Sequence, residues 1–140
     1  MKVRIGAPLA ALALATFALG CGSSGDDKAA EEAEHGTTPR QAVAQIAQVR
    51  SGLAHALATY RAGDARAAGE QVGDTYLQHF ELVEGPLEEA DHELKEQLED
   101  SIREELRAQI RADAGEAKVA ALVQRIDAKL DQAEQTLWSE

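Results

Sequence analysis

The sequence predicts an all-α fold, an antiparallel four-helix bundle that follows a signal peptide and a disordered tether. Three observations carry that prediction. Apolar residues recur three and four positions apart from Val43 to Leu137, which is the period of an amphipathic helix. No stretch alternates with period two, so no strand is needed. The helical patterns break only at short punctuation, at Ala62-Gly63-Asp64, Gly85-Pro86 and Asp113-Ala114-Gly115, which makes tight corners between neighbouring helices. Four such apolar faces cannot stay in water and bury one another as a bundle.

Met1–Gly20 reads as a signal peptide. Lys2 and Arg4 give it a charged start, and Ala7–Leu19 is an apolar run too short to span a bilayer comfortably. Ala18-Leu19-Gly20-Cys21 resembles a bacterial lipobox, with Ala18 and Leu19 in the reverse of the usual order. That resemblance implies lipid attachment at Cys21. The alternative is an ordinary signal peptide with a free cysteine near its cut. Residues 21–40 then form a lipidated Cys and an acidic tether with no apolar side chain larger than Ala after the cysteine, unable to order itself by burial. A flexible chain of that length reaches roughly 25 Å, which would hold the folded part just off a membrane. His35 falls in the tether and reads as solvated.

Residues 41–140 are the helical bundle domain. The first helix begins near Thr38-Pro39, where Thr can cap and Pro fits the first helical position. Val43, Ile46, Leu53, Leu57 and Tyr60 share its apolar face, widened by Ala42 and Val49. Gly63 stops it and Asp64 caps the second helix, expected over about 65–84. Val72, Tyr76, Leu77, Phe80 and Val83 share that helix's face with Gly69 and Gly73. Helical glycines cost about 1 kcal/mol each against Ala, so close approach of a neighbour is one reading and neutral drift the other. Gly85-Pro86 is expected to turn the chain into a third helix over about 86–112, striped by Leu87, Leu94, Leu98, Ile102, Leu106 and Ile110. The fourth helix, about 116–138, is striped by Val119, Leu122, Val123, Ile126, Leu130, Ala133 and Leu137.

Composition narrows the function. The chain of 140 residues carries a formal charge of -11, and removing Met1–Gly20 takes it to -13. A surface that acidic repels phosphate backbones, and 4% aromatics cannot build base-stacking platforms, so no nucleic-acid partner is expected. One cysteine excludes an internal disulfide. There is no Gly-x-Ser-x-Gly, no glycine-rich phosphate loop and no His-Glu-x-x-His, so the chain does not read as an enzyme.

The conspicuous chemistry is acidic. Nine acids lie between Glu81 and Asp100, against one Lys95, with His79 and His92 flanking the second corner. Carboxylates with imidazoles ligate iron, manganese or zinc. Helical spacing puts Asp91 in the third helix's stripe and Glu84 and Glu88 at stripe margins, so Glu84, Glu88 and Asp91 with His79 in reach form a candidate metal site. The competing reading makes the acids a solvated face and a dipole-favouring first turn, with Asp91 paired to Lys95 or Arg50.

A resemblance adds to this. Tyr60-Arg61-Ala62-Gly63-Asp64, Val72-x-Asp74-x-Tyr76-x-x-x-Phe80-Glu81 and Gly85-x-Leu87-Glu88 follow in an order that resembles the helical extracytoplasmic domain preceding the permease part of some bacterial high-affinity iron permeases. Ile102-Arg103-Glu104-Glu105-Leu106-Arg107 stands where that domain has an acidic helix, and the likeness covers about 54–110. It implies an accessory role in iron uptake beside a metal transporter, with Glu81, Glu84 and Glu88 as carried-over acids and His79 and Asp91 as additions. The permease membrane helices are missing, and Arg107 stands where the last Glu of an Arg-Glu-x-x-Glu iron motif would fall. The chain would therefore bind, present or deliver metal, not transport it. The alternative is a structural or protein-interaction lipoprotein of the cell envelope with no metal role. In either case the chain is expected outside the cytoplasm, held to the cell membrane by Cys21.

Overall fold

Thr38 opens the first helix with a reciprocal capping box. Its hydroxyl accepts from the Gln41 N–H at 3.3 Å, and the Gln41 side chain accepts from the Thr38 N–H at 2.9 Å. This computed structural model describes residues 36–139, which are all-α: four helical segments and, among the described residues, no strand. The signal segment, Cys21 and the tether up to residue 35 lie outside the described residues. Helix α1 is Pro39–Arg61. Gly63 takes φ +91°, a region that L side chains enter only with strain, and Asp64 caps the next helix by accepting from the Ala67 N–H at 2.9 Å.

Helix α2 covers 65–90 in three stretches: α-helical Ala65–Thr75, a π-helical turn Tyr76–Phe80, and α-helical Glu81–Ala90. The Gly85-Pro86 corner expected from sequence is therefore corrected: both residues lie inside α2. Two physical reasons let the helix pass through. Gly85 offers no Cβ to the proline ring, which removes part of the clash that usually ends a helix before Pro. Val83, Pro86 and Leu87 are all buried, so stopping there would expose them. The chain turns instead at Asp91, whose backbone is extended (φ -157°, ψ 86°) and whose carboxylate accepts from the Leu94 N–H at 3.0 Å. Asp is among the best N-cap residues, and the cap outcompetes the breaker.

Helix α3 covers 92–111, with α-helical His92–Glu99, a π-helical stretch Asp100–Leu106 and α-helical Arg107–Arg111. Its buried residues explain the π stretch. Leu94, Leu98, Ile102, Leu106 and Ile110 repeat strictly every fourth position. An ideal α-helix with 3.6 residues per turn would swing that stripe by about 40° at each step, or roughly 160° across the helix. A wider i→i+5 turn in the middle takes up the excess and keeps all five in the core. Ala68, Val72, Tyr76 and Phe80 of α2 make the same four-residue repeat, and α2 carries its π turn there. Leu77, expected on the buried face of α2, is 58% exposed instead.

Helix α4 is Glu116–Trp138, entered through Asp113 at φ 48° and Gly115 at φ +92°. The α1–α2 and α3–α4 turns are tied together. The Tyr60 hydroxyl donates to Asp113 at 2.8 Å and accepts from the Gly115 N–H at 3.2 Å, and Arg61 pairs with Glu116 at 2.8 Å. Farther along, Arg50 of α1 reaches Asp131 at 2.6 Å, with Glu134 at 3.5 Å and Asp127 at 3.6 Å. One contiguous core joins all four helices, with Phe80, Leu98, Ile102 and Ile126 fully enclosed. Among the described residues no helix is long and apolar enough to cross a membrane.

Candidate functional site

The acidic stretch from Glu81 to Asp100 straddles the Asp91 turn, the end of α2 and the start of α3. Most of its candidate ligands already have partners. Glu84, half-buried, accepts a hydrogen bond from the Tyr76 hydroxyl. Burial of Tyr76, and then the Glu84 carboxylate beside it, push the Tyr76 hydroxyl above its ordinary pKa, so the phenol stays a donor. The Tyr76 ring lies 5.6 Å from Phe80, and the Arg103 guanidinium sits 5.8 Å above it as a cation–π contact. Arg103 in turn pairs with Glu99 at 2.9 Å.

Glu88 belongs to a second group. It meets the His92 imidazole at 2.7 Å and the Lys95 ammonium at 3.1 Å, while Lys95 also reaches Glu96 at 2.7 Å and Glu99 at 3.6 Å. The hydrogen bonds to His92 and then Lys95 hold Glu88 below the usual carboxylate range, and Glu88 raises His92 in return. Lys95 is raised by Glu96 and then Glu88, and Glu96 is lowered by Lys95. Charged forms on both sides are thus mutually stabilised on a surface open to solvent.

Asp91 pairs with neither Lys95 nor Arg50 through its side chain; it caps α3, and the ammonium and guanidinium are engaged elsewhere. His79 points to α1 and shares a hydrogen bond with Gln45 at 2.9 Å. Glu81 is exposed and has no hydrogen bond or ion pair among the described residues. The structure therefore brings Glu88 together with His92 and Lys95, and Glu84 with Tyr76, while Asp91 and His79 each serve a different element. Among the described residues no group of three or more His, Cys, Asp and Glu is placed to hold a metal ion.

A second feature escapes helix-by-helix reading. Two adjoining clefts of about 310 and 200 Å³ run along the seam between α2 and α3. Arg103, Arg107 and Arg111 line one wall at four-residue intervals, and Gly69, Glu70, Gly73 and Asp74 of α2 line the other. Arg107 and Arg111 have no ion pair or side-chain hydrogen bond among the described residues. Their spacing is visible in the sequence as an i, i+4, i+8 series of arginines. Its meaning depends on the register in which α2 packs alongside, which the turn at Asp91 sets.

No family model matches the chain, and neither a curated protein nor a solved structure does.

Proposed function

We propose that the chain is a lipid-anchored module of the cell envelope that docks a partner protein, its folded part an antiparallel four-helix bundle standing off the membrane on the acidic tether. The observation that carries this reading is where the carboxylates go. Glu84, Glu88 and Asp91, the best-placed metal ligands, are engaged by Tyr76, by His92 with Lys95, and by the α3 cap. Carboxylates held this way serve the fold, and they leave a surface suited to recognition more than to coordination. The antiparallel arrangement is supported by the ion pairs: Arg61 meets Glu116 and Arg50 meets Asp131, so going back along α1 goes forward along α4. The reading gives the chain no catalytic role.

The second reading is the accessory part in iron uptake that the permease resemblance implies. The observation in its favour is that Glu81, one of the carried-over acids, is exposed without a partner among the described residues and remains free for weak metal contact. Photo-crosslinking in whole cells, with a crosslinker at surface positions of the full chain, separates the two. A discrete envelope protein captured equally with and without chelator supports docking. Capture abolished by chelator supports the metal reading. Mass spectrometry of the native protein tests the anchor, since an unmodified Cys21 would remove it.

A further inference from the structure

The α2–α3 seam holds features that the fold alone does not account for. Arg107 is half-buried and Arg111 exposed, and neither meets a carboxylate, although the chain has 25 acids to 14 Lys and Arg. The neighbouring arginines are matched: Arg103 by Glu99 and Glu104, and Arg66 by Glu70 at 3.7 Å. The uncompensated positive charge is thus confined to the Arg107–Arg111 end of the cleft. On the opposite wall stand two exposed acids: Glu70, which lines both clefts and is paired with Arg66, and Asp74, which has no partner among the described residues.

The two glycines that line the cleft are not demanded by the packing seen. A Cβ at Gly69 would meet Ile110 at 3.8 Å, and one at Gly73 would meet the Arg107 guanidinium at 3.8 Å, both ordinary contacts. Glycine is the least favourable helix-interior residue short of proline, and Ala would fit at either place. Half-buried Gly69 and Gly73 therefore leave room in the seam beside Ile110 and the Arg107 guanidinium. Beside the cleft, one turn beyond Gly73, Leu77 is 58% exposed.

We propose that this cleft seats a helix of a partner protein that presents carboxylates one turn apart. The inference rests on the docking role put forward for the chain and names its surface and the partner's chemistry. Arg107 and Arg111 stand one helical turn apart, and carboxylates at i and i+4 on a helix laid along α3 repeat at the same interval. Arginine forks bind carboxylates bidentately, which fixes register as well as adding affinity. Gly69 and Gly73 let the incoming backbone approach closely, Leu77 takes an apolar side chain, and Asp74 sets direction by meeting a basic one.

The test uses the full chain in detergent micelles and a synthetic helical peptide with Glu at every fourth position beside leucines. Binding is followed by NMR of the arginine side-chain N–H groups and of the Gly69, Gly73 and Leu77 amides. The expected result is saturable binding with shifts confined to these residues. Arg107→Glu with Arg111→Glu should weaken it by about tenfold or more, the equivalent of one lost charge-assisted contact, and should create binding to the lysine analogue of the peptide. Gly73→Met, which fills the cleft without touching charge, should weaken it as well, with folding checked by circular dichroism. Four results would overturn the assignment. They are no binding, equal binding of a peptide with the glutamate spacing broken, equal shifts with inorganic phosphate alone (a small-anion site), or self-association abolished by the double arginine variant (a second copy as occupant). Crosslinking then keeps the two levels apart. A partner captured from the α1–α4 face but never from Leu77 would remove this cleft and leave the docking role standing, whereas capture from no face would remove both.

Discussion

Substituting Gly52 by alanine should destabilise the protein, although alanine is the better helix former. Gly52 sits where α1 crosses α2 against Thr75, the one buried polar side chain among the described residues. A Cβ there would overlap the Thr75 hydroxyl and lie 2.7 Å from its methyl and 3.0 Å from its Cβ. Thr75 has little freedom to yield. Its hydroxyl donates to the Gln71 carbonyl at 2.8 Å, and a β-branched residue in a helix has few rotamers. The seam must open instead, and overpacking of that kind costs about 1–3 kcal/mol. Helix propensity returns about 1 kcal/mol of it. For an overlap this deep we expect a net loss of about 1–2 kcal/mol, where each kcal/mol lowers Tm by about 4–8 °C in a domain of this size. Gly69→Ala and Gly73→Ala are the controls. Their new methyls make only 3.8 Å contacts, so each should gain up to about 1 kcal/mol. The assay is urea unfolding followed by far-UV circular dichroism, because Trp138 is 60% exposed and reports the core poorly. Adding Thr75→Ala to Gly52→Ala should recover part of the loss, a coupling of about 1 kcal/mol. A Gly52→Ala protein as stable as the parent, or three glycine variants that all lose stability alike, would refute this account of the helix seams.

Asp91→Ala should cost about 1 kcal/mol by removing the α3 cap while Asp91→Asn costs little, measured by the same unfolding curves. Tyr60→Phe should cost about 0.5–1.5 kcal/mol, because the Asp113 and Gly115 groups it joins lose their shared partner but can still reach water. His92, followed by NMR titration, should deprotonate above its ordinary value of 6.5, and Glu88→Gln should bring it back down. The raised His92 stabilises fully below 6.5 and loses that effect as pH rises through its folded value, whereas the lowered Glu88 stabilises fully above 4.5 and loses it as pH falls through its folded value. The pair therefore contributes most between these limits, and Glu88→Gln should flatten the profile on both sides.

How much could be read from the sequence depended on whether the deciding neighbours lie on the same helix. Helices α1 and α4 were legible because Thr38-Pro39, Gly63 and Gly115 mark their ends and their apolar stripes stay near the ideal period. The α2–α3 boundary was not. Gly85-Pro86 carries the stronger local signal, but burial of Val83, Pro86 and Leu87 overrides it, and the quieter cap at Asp91 wins. Moving the corner by five residues changed the part assigned to Asp91 from ligand to cap. Tyr76 and Glu84 lie on one helix in either case, but the π turn between them, which propensity does not foretell, was not legible. Leu77 went astray for the same reason, since the π turn re-aims the face it was expected to share. The reading of the acids as a charged surface needed only composition and order and was visible, but their place at a helix start was not: Glu88 and Glu89 fall in the last turn of α2, and α3 opens with Asp91 and Glu93.

We propose that the carboxylates of the Asp91 turn serve the bundle, through the Tyr76 hydrogen bond, the His92 and Lys95 pairs and the α3 cap, and not a metal ion. Calorimetric titration of the full chain with ferrous and ferric iron tests it most directly. The account predicts weak, unsaturating heats no larger than those of an acidic peptide of matched charge, unchanged by Glu84→Gln with Glu88→Gln. A saturable single-site isotherm that this double variant abolishes would contradict it.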